Sequence, residues 1–321
     1  MKHLKLCALA LLFTAPATSF SEQIIQPSLL DETENIVQMD DGRMFVAGST
    51  GIHEIKSTND SSPNCQQDSQ SGLTICTVVE PMVNGNECSY TGMTTDNYYL
   101  YASCTKWQSS TFADPEFAAF LRILPGTHGA EQVIAHEYDE PIWYNGMTMF
   151  DDDSLLMTKT VPDQGSIKAA IVKLDITNQL TSEFTVSKWF PSNSLLFAPN
   201  GIKYDNGFVY FVGGQNLFRI EVNEDQTHGF PFHIYQTALH KALDDFAIVG
   251  DWIAVAETAL INGWGTNNVL FVHKTGTVST TRIPTGKIQM SHFVKDSGTL
   301  FSDDLIGTSF YQGGLYRIPM P

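Results

Sequence analysis

Residues 200–212 read NGIKYDNGFVYFV: an Asn-Gly pair, a short strand-type run, a polar turn and a second apolar run. The same order recurs at residues 34–47 (ENIVQMDDGRMFVA), 145–157 (NGMTMFDDDSLLM) and 244–255 (DDFAIVGDWIAV). Each copy starts on a side chain with a carboxylate or amide oxygen, namely Glu34, Asn145, Asn200 and Asp244. A unit that repeatedly places an oxygen at the same position indicates radial repetition around one site.

The period of this unit predicts the fold. Thr91 and His292 mark two further strand starts, and the six starts are separated by 57, 54, 55, 44 and 48 residues. Six units of several short strands are typical of an all-β, six-bladed β-propeller, which we expect as a single domain over residues 22–321. Two β-sandwich domains are the alternative, but they predict no such period. Residues 22–30 are expected to pair with the last blade and close the ring, which removes an exposed sheet edge.

Strand-type patterning dominates the rest of the chain. Short runs rich in Val, Ile, Phe and Tyr, bounded by Gly, Asn and Asp, predict strands at 44–47, 98–102, 171–174, 208–212, 217–222, 252–256, 269–273 and 315–318. Helical periodicity is weak, and we expect short helices only at 114–121 and 236–242.

The net charge of the chain indicates which partners it can bind, and its N-terminal residues indicate its location. Of 321 residues, 18 are Lys or Arg and 35 are Asp or Glu, a net charge of -17, which disfavours nucleic acid and anionic membranes as partners. Lys2 and Lys5 precede an apolar run at 6–13 and then small residues, so residues 1–21 resemble an export signal with cleavage after Ala17 or Ser21. We therefore expect a secreted or periplasmic protein, a monomer, that acts on a small molecule.

Four cysteines remain in the exported chain, all within about forty residues: Cys65, Cys76, Cys88 and Cys104. An even count in an oxidising compartment favours two disulfides. Three pairings are possible, and proximity favours Cys65–Cys76 and Cys88–Cys104. A zinc site is the alternative, but the spacing contains no Cys-x-x-Cys motif.

The repeated oxygens predict a metal site. In a propeller the innermost strands line a central channel, so Glu34, Asn145, Asn200 and Asp244 would converge from four blades. Two carboxylates and two amides suit Ca²⁺, although another divalent cation would also fit. The alternative is that each residue only forms a turn, because Asn-Gly and Asp are common turn formers.

Several segments resemble the senescence-marker-protein/gluconolactonase family, within a superfamily that includes paraoxonase-type arylesterases, diisopropylfluorophosphatase-type phosphotriesterases and strictosidine synthases. The segments are APNGI at 198–202, VYFV at 209–212, LFRI at 217–220, LDDFAI at 243–248, VAE at 255–257 and GGLYRI at 313–318. The family's usual Glu-Gly-Pro reads Glu-Asn-Ile at residues 34–36.

The resemblance implies a catalytic Ca²⁺ held by Glu34, Asn145, Asn200 and Asp244, with Asp245 competing with Asp244 as a ligand. It implies hydrolysis of lactones or esters, in which the metal polarises a substrate oxygen and Asp244 or Asp245 acts as base or nucleophile. His292, at the sixth strand start, is either a general base or substrate contact, or a hydrogen-bonded core histidine. The competing hypothesis is a non-catalytic propeller that binds a ligand or protein and holds a structural calcium.

The surroundings of these motifs are apolar. Leu195-Leu196-Phe197, Phe246 and Trp264 favour a partly hydrophobic ester or lactone over a sugar. Trp143 and Tyr144 adjoin Asn145, and they are either part of the pocket or structural aromatics.

Overall fold

The fold is known from a computed structural model, which describes residues 21–107, 115–138, 142–160, 162–163, 166–167, 169–176, 184–191, 198–260, 266–276, 280–298, 300–301 and 304–320. The strands in chain order are β1 (Glu22–Ile25), β2 (Thr33–Gln38), β3 (Met44–Gly48), β4 (Gly51–Lys56), β5 (Cys65–Gln67), β6 (Thr74–Val79), β7 (Met82–Val83), β8 (Asn86–Glu87), β9 (Ser89–Thr95), β10 (Leu100–Trp107), β11 (Pro115–Pro125), β12 (Ala130–Glu137), β13 (Trp143–Asp151), β14 (Ser154–Thr160), β15 (Pro162–Asp163), β16 (Ser166–Ile167), β17 (Ala170–Asp175), β18 (Thr185–Phe190), β19 (Pro199–Asp205), β20 (Phe208–Gly213), β21 (Asn216–Val222), β22 (His228–Gln236), β23 (Lys241–Val249), β24 (Trp252–Ala259), β25 (Asn267–His273), β26 (Thr281–Gly286), β27 (Phe293–Lys295), β28 (Leu305–Thr308) and β29 (Leu315–Ile318).

Six antiparallel sheets form the blades of a propeller, and the predicted six-bladed, all-β fold is confirmed. From the innermost strand outward, blade 1 is β2-β3-β4-β6-β5, blade 2 is β9-β10-β11-β12, blade 3 is β13-β14-β17-β18, blade 4 is β19-β20-β21-β22, blade 5 is β23-β24-β25-β26 and blade 6 is β27-β28-β29-β1. Two small hairpins, β7-β8 and β15-β16, lie outside the blades.

The innermost strands form a closed ring around the axis. Each contacts the innermost strands of both neighbouring blades, in the order β2, β9, β13, β19, β23, β27 and back to β2. The predicted closure is also confirmed, because β1 near the N-terminus is the outermost strand of blade 6 and pairs with β29, with Glu22 opposite Arg317. Blade 6 therefore combines β1 with the last three strands, and this pairing closes the ring.

The hydrophobic core lies between the blades rather than at the axis. A cluster of buried apolar side chains separates every pair of neighbouring blades. In β20, Val209 and Phe211 pack toward blade 3, while Tyr210 and Val212 pack toward blade 5. Since both faces of the strand are buried, it is apolar at successive positions instead of alternating with polar residues.

The two predicted helices were wrong, because the described residues of both regions form strands and a turn. Residues 115–125 form β11, which pairs with β10 on one side and β12 on the other. Residues 236–242 join the end of β22 to the start of β23. Pairing on both edges of β11 outweighs a weak local helical preference. The described part of the chain holds no helix, and thus none long and apolar enough to span a bilayer.

Both expected disulfides are present and confirm the pairing by proximity. Cys65–Cys76 joins β5 to β6, and Cys88–Cys104 joins the residue before β9 to β10. Asp60 lies close to the first pair, but disulfide sulfurs do not offer thiolates to a metal, which argues against the zinc alternative there. The predicted export signal, residues 1–21, falls almost entirely outside the described residues.

Candidate metal site at the propeller axis

The inner strands of blades 1 to 5 share a β-bulge at the position where the repeated residue lies. The ladder to the second strand skips Glu34 in β2, Thr91 in β9, Asn145-Gly146 in β13, Asn200-Gly201 in β19 and Asp244-Asp245 in β23. A bulge bends the strand and changes the direction of a side chain. The local irregularity therefore turns one oxygen-bearing side chain per blade out of the regular pattern of its strand.

Glycines after the repeated residues let neighbouring inner strands approach closely. A Cβ on Gly146 would stand 2.3 Å from the carbonyl oxygen of Asn200, and a Cβ on Gly201 would stand 2.1 Å from Asp245 Oδ1. Gly92 lies in the same way against the carbonyl of Asn145, at 2.4 Å. The Asn-Gly and Thr-Gly pairs thus serve two purposes, since the first residue faces the site and the glycine makes room for the next blade.

A cavity of about 200 Å³ lies at the axis, and all four predicted metal ligands line it. Its described lining residues are Glu34, Ser89, Thr91, Trp107, Trp143, Asn145, Asn200, Asp244, Phe310 and Tyr311. None of these is Lys, Arg or His. The residues proposed from the repeat are therefore brought together from blades 1, 3, 4 and 5, although they span 210 residues of sequence from Glu34 to Asp244.

The cavity carries buried acidic groups. Burial raises the pKa of Glu34 well above its ordinary value, the charges of Asp244 and Asp245 raise it further, and a hydrogen bond with Ser291 opposes the change. Burial and then the charge of Asp245 raise the pKa of Asp244 to about 8, against the effect of a hydrogen bond from Asn200. The described lining side chains place no positive charge beside these two carboxyl groups, so their mutual repulsion is not balanced from within the cavity wall.

Asp244 and Asp245 have different surroundings. Asp244 faces the cavity and accepts a hydrogen bond from the side-chain nitrogen of Asn200. Asp245 lies behind the wall, with Oδ2 at 2.5 Å from His292 Nδ1 and Oδ1 at 3.3 Å from Lys203 Nζ. Its Oδ1 also accepts a 2.7 Å hydrogen bond from the amide of Phe246.

These partners keep Asp245 ionised. Burial alone would raise its pKa, but the charges of His292 and Lys203, together with the hydrogen bonds from His292 and Phe246, lower it to about 2. Burial lowers the pKa of His292, so the positive charge of that ring is weakened at neutral pH, whereas the Lys203 ammonium stays close to Asp245 Oδ1. His292 itself is 3% exposed and precedes β27. Neither Asp245 nor His292 is among the described residues that line the cavity, so Asp244 is the predicted catalytic residue that a bound substrate could touch.

Two pairs of aromatic residues form the apolar walls. Trp107 at the end of β10 and Trp143 at the start of β13 contact edge to face, with ring centroids 4.9 Å apart. Phe310 and Tyr311, just after β28, are 5.4 Å apart in the same arrangement. Because blades 3 and 6 face each other across a six-bladed ring, Trp143 and the Phe310–Tyr311 pair stand on opposite sides of the cavity.

The sequence reasoning missed most of these walls. Trp107 ends the second strand of blade 2, and Phe310 and Tyr311 follow the second strand of blade 6, so all three lie outside the repeated motif at the start of the innermost strand. Trp143 does line the cavity, whereas Tyr144 is buried in the core between blades 2 and 3. Phe246 is likewise a core residue, between blades 4 and 5. Leu195-Leu196-Phe197 and Trp264 lie outside the described residues.

The donor set fits a hard divalent cation. Glu34 and Asp244 supply carboxylate oxygens, and Asn145 and Asn200 supply amide oxygens, the ligand types that Ca²⁺ takes from proteins. Asn145 lines the cavity although it is only 4% exposed, so its amide is held next to the carboxylates and away from bulk water. A cation there would offset the repulsion between the two carboxylates.

Comparison with known proteins identifies the fold. No protein-family model and no curated protein matches the chain. Among solved structures, an oxidoreductase (glucose dehydrogenase) from Thermus thermophilus matches at 12% identity and a TM-score of 0.56, over 92% of this chain and 98% of that one. A second glucose dehydrogenase matches at 9% identity and a TM-score of 0.56, over 94% and 99% of the two chains.

The extracellular domain of a hybrid two-component system from B. thetaiotaomicron also matches, at 12% identity and a TM-score of 0.53, over 94% of this chain and 40% of that one. At such low identity these likenesses establish the six-bladed propeller alone. Membership of the senescence-marker-protein/gluconolactonase family stays a prediction.

Proposed function

We propose that this protein is an exported, divalent-cation-dependent hydrolase of small, partly hydrophobic esters or lactones, with Ca²⁺ as the preferred ion. The observation that supports it is the meeting of Glu34, Asn145, Asn200 and Asp244 around one cavity whose described lining side chains include no positive charge. The two disulfides agree with an oxidising compartment such as the periplasm or the cell exterior.

The residues of the cavity have separate roles in the proposed reaction: they bind the metal, accept a proton or position another side chain. When bound, the metal supplies Lewis acidity toward a substrate carbonyl oxygen. Glu34, Asn145, Asn200 and Asp244 hold it, and the hydrogen bond from Asn200 fixes the direction of the Asp244 carboxylate. Asp244 is the residue placed to accept a proton from an attacking water, because it combines a carboxylate with exposure to the cavity. Asp245 and His292 position the Asp244 segment from behind.

The aromatic walls set the type of substrate. Trp107, Trp143, Phe310 and Tyr311 present apolar surface, and no basic side chain among the described lining residues would hold an anionic substrate. The cavity volume of about 200 Å³ restricts the substrate to a small molecule. An ester or lactone without negative charge and with a compact apolar group satisfies these conditions.

Thermal unfolding with calcium and then with a chelator, beside a screen of esters and lactones, tests the proposal. A ligand that binds only the folded state raises the free energy of unfolding by RT ln(1 + [L]/Kd). We expect calcium to raise the Tm and to be required for turnover, and Asn200→Ala to reduce both effects. Full turnover by the Asp244→Ala/Asp245→Ala double variant would contradict the hydrolase proposal.

The second candidate is a propeller that binds a ligand without turning it over, around a structural calcium. The same cavity and donor set support it, because they need no catalytic base. It predicts the calcium-dependent rise in Tm without hydrolysis of any ester or lactone in the screen.

A further inference from the structure

The cavity combines aromatic walls with acidic groups, and this combination favours one class of ligand. Aromatic faces carry negative electrostatic potential, which attracts cations placed over them. Trp107 and Trp143 line the cavity on one side, and Phe310 and Tyr311 line it on the other, each as an edge-to-face pair. We propose that the cavity takes an organic cation, a quaternary or alkylated ammonium group, between these two aromatic pairs.

Both the charge of the cavity lining and the net charge of the chain favour a cationic ligand over an anionic one. Within the cavity, a divalent ion would balance Glu34 and Asp244, and none of the described lining residues adds a positive charge that would repel an ammonium group. Over the whole chain, the net charge of -17 attracts cations and repels anions. An anionic substrate of the same size would be repelled by the net charge of the chain and would find no basic partner among the described lining residues.

The remaining polar groups suit the rest of such a molecule. Ser89 Oγ is buried without a hydrogen-bond partner among the described residues, and Ser89 lines the cavity. Thr91 lines it as well, but its hydroxyl donates a hydrogen bond to the carbonyl of Tyr144. The Ser89 hydroxyl can donate a hydrogen bond to an ester oxygen next to the ammonium group. The cavity volume of about 200 Å³ is below the roughly 300–1,000 Å³ usual for drug-sized ligands, so the molecule is small.

The substrate class that follows is an ester of an amino alcohol, an identification that rests on the proposed function for its hydrolytic step. Water adds to the acyl carbon, the bond from that carbon to the alkoxy oxygen breaks, and the oxygen takes a proton to leave as the amino alcohol. The carboxylic acid is the second product. No oxidant or further reactant is needed.

Binding of choline to the full exported chain with saturating calcium, measured by calorimetry, tests the ligand class without requiring turnover. The matched control ligand is 3,3-dimethylbutan-1-ol, in which carbon replaces the charged nitrogen at nearly the same shape. We expect choline to bind about tenfold or more tightly than this neutral analogue. Equal binding of the two, or no binding of choline, would overturn the proposal.

Substitutions in the walls provide the second test. Trp143→Leu and Tyr311→Leu each remove one aromatic face, and we expect each to weaken choline binding by about 5- to 30-fold while leaving the neutral analogue within about threefold. Trp252→Leu is the matched control, because Trp252 lies at the start of β24, outside the cavity, and should leave choline binding unchanged. Tyr311 is 64% exposed, so its substitution should not impair folding. Unchanged choline binding in both wall variants would contradict the aromatic site.

Turnover separates this inference from the proposed function. The acetate ester of choline and 3,3-dimethylbutyl acetate form a second matched pair, and we expect a kcat/KM at least about tenfold higher for the charged ester. Choline-selective binding without hydrolysis of either ester would support the ligand class and contradict the hydrolase. Hydrolysis of both esters at equal rates, without selective binding, would support the hydrolase and contradict the ligand class.

Discussion

Gly201 lies directly against the carboxylate of Asp245: a methyl group on Gly201 would stand 2.1 Å from Asp245 Oδ1. This contact joins blade 4 to blade 5 immediately beside two of the proposed metal ligands, Asn200 and Asp244. The repeated glycine is therefore a requirement of packing between blades, and it determines how closely the oxygen-bearing side chains can meet at the axis.

The first prediction concerns this contact. Gly201→Ala should lower the free energy of unfolding by about 1–3 kcal/mol, because the added methyl overpacks a site with no free space. It should also reduce the calcium-dependent rise in Tm, since Asp245 and with it Asp244 must shift. Gly207→Ala is the control, with a left-handed φ of +80° but open space, so it should cost about 1 kcal/mol and leave the calcium effect intact. Equal calcium effects in the two variants would contradict the prediction.

The second prediction concerns the repulsion between the buried carboxylates at the axis. Asp244→Asn should stabilise the calcium-free protein by roughly 1–4 kcal/mol, because it removes one of the buried carboxylates that repel each other while keeping an Oδ1 acceptor for Asn200. The same variant should lose about tenfold or more in calcium affinity. Unfolding with and without a chelator measures both effects, and retention of the full calcium-dependent stabilisation would exclude Asp244 as a ligand.

The third prediction concerns pH and lies away from the axis. Burial lowers the pKa of His53 from its ordinary value of 6.5 to about 4. Its ring nitrogens lie 3.1 Å from the Thr50 hydroxyl and 3.2 Å from the Thr77 hydroxyl. Between these pKa values the unfolded chain binds more protons than the folded one, so stability is complete above about pH 6.5 and falls as the pH drops toward 4.

The loss attributable to His53 is about 3 kcal/mol across that window. His53→Gln should flatten the corresponding part of the stability–pH curve, measured by denaturant unfolding at a series of pH values. His128→Gln provides the comparison, because the His128 side chain is exposed. If both variants keep the slope of the original protein, His53 is not the group responsible.

The fourth prediction concerns a buried acid in blade 5. Glu257 is 1% exposed and is held by Lys241, the Thr237 hydroxyl and the Asn268 amide. Glu257→Ala should cost about 3–5 kcal/mol, because it leaves the Lys241 ammonium without its buried partner. Glu22→Ala, which breaks an exposed ion pair with Arg317, should cost less than about 1 kcal/mol by the same unfolding measurement. Similar losses for the two variants would contradict this difference in burial.

The fifth prediction compares the two disulfides. Removing Cys88–Cys104, which closes a 16-residue separation, should cost about 3 kcal/mol in unfolding free energy. Because Cys88 precedes Ser89 and Cys104 lies three residues before Trp107, the loss should also weaken binding in the cavity. Removing Cys65–Cys76, with a separation of 11, should cost a similar free energy and leave cavity binding unchanged. The double alanine variants, compared by unfolding and by choline titration with saturating calcium, provide the measurement, and equal effects on choline binding would contradict the assignment.

The periodicity of the sequence alone predicted much of this molecule. The recurrence of Glu34, Asn145, Asn200 and Asp244 at the start of strand–turn–strand units indicated both the six blades and the convergence of these residues. Each blade repeats the same local geometry, so a residue at an equivalent position in every repeat must face the same axis. The cysteine pairing followed from proximity in sequence instead, because residues a short distance apart meet within neighbouring strands.

Other features depend on contacts between distant residues, and the tertiary structure alone decided them. The sequence around Asp244 and Asp245 does not show which of the two carboxylates faces the cavity. The bulge in β23 and the contacts of Asp245 with Lys203 and His292 determine that Asp244 does. The aromatic walls join Trp107 and Trp143 to Phe310 and Tyr311, more than 160 residues further along the chain, through closure of the ring. β11 is a strand because partners on both edges accept its backbone hydrogen bonds, although its own sequence is ambiguous. A repeat in sequence can specify position around an axis, whereas the orientation of a side chain depends on how the neighbouring blades pack.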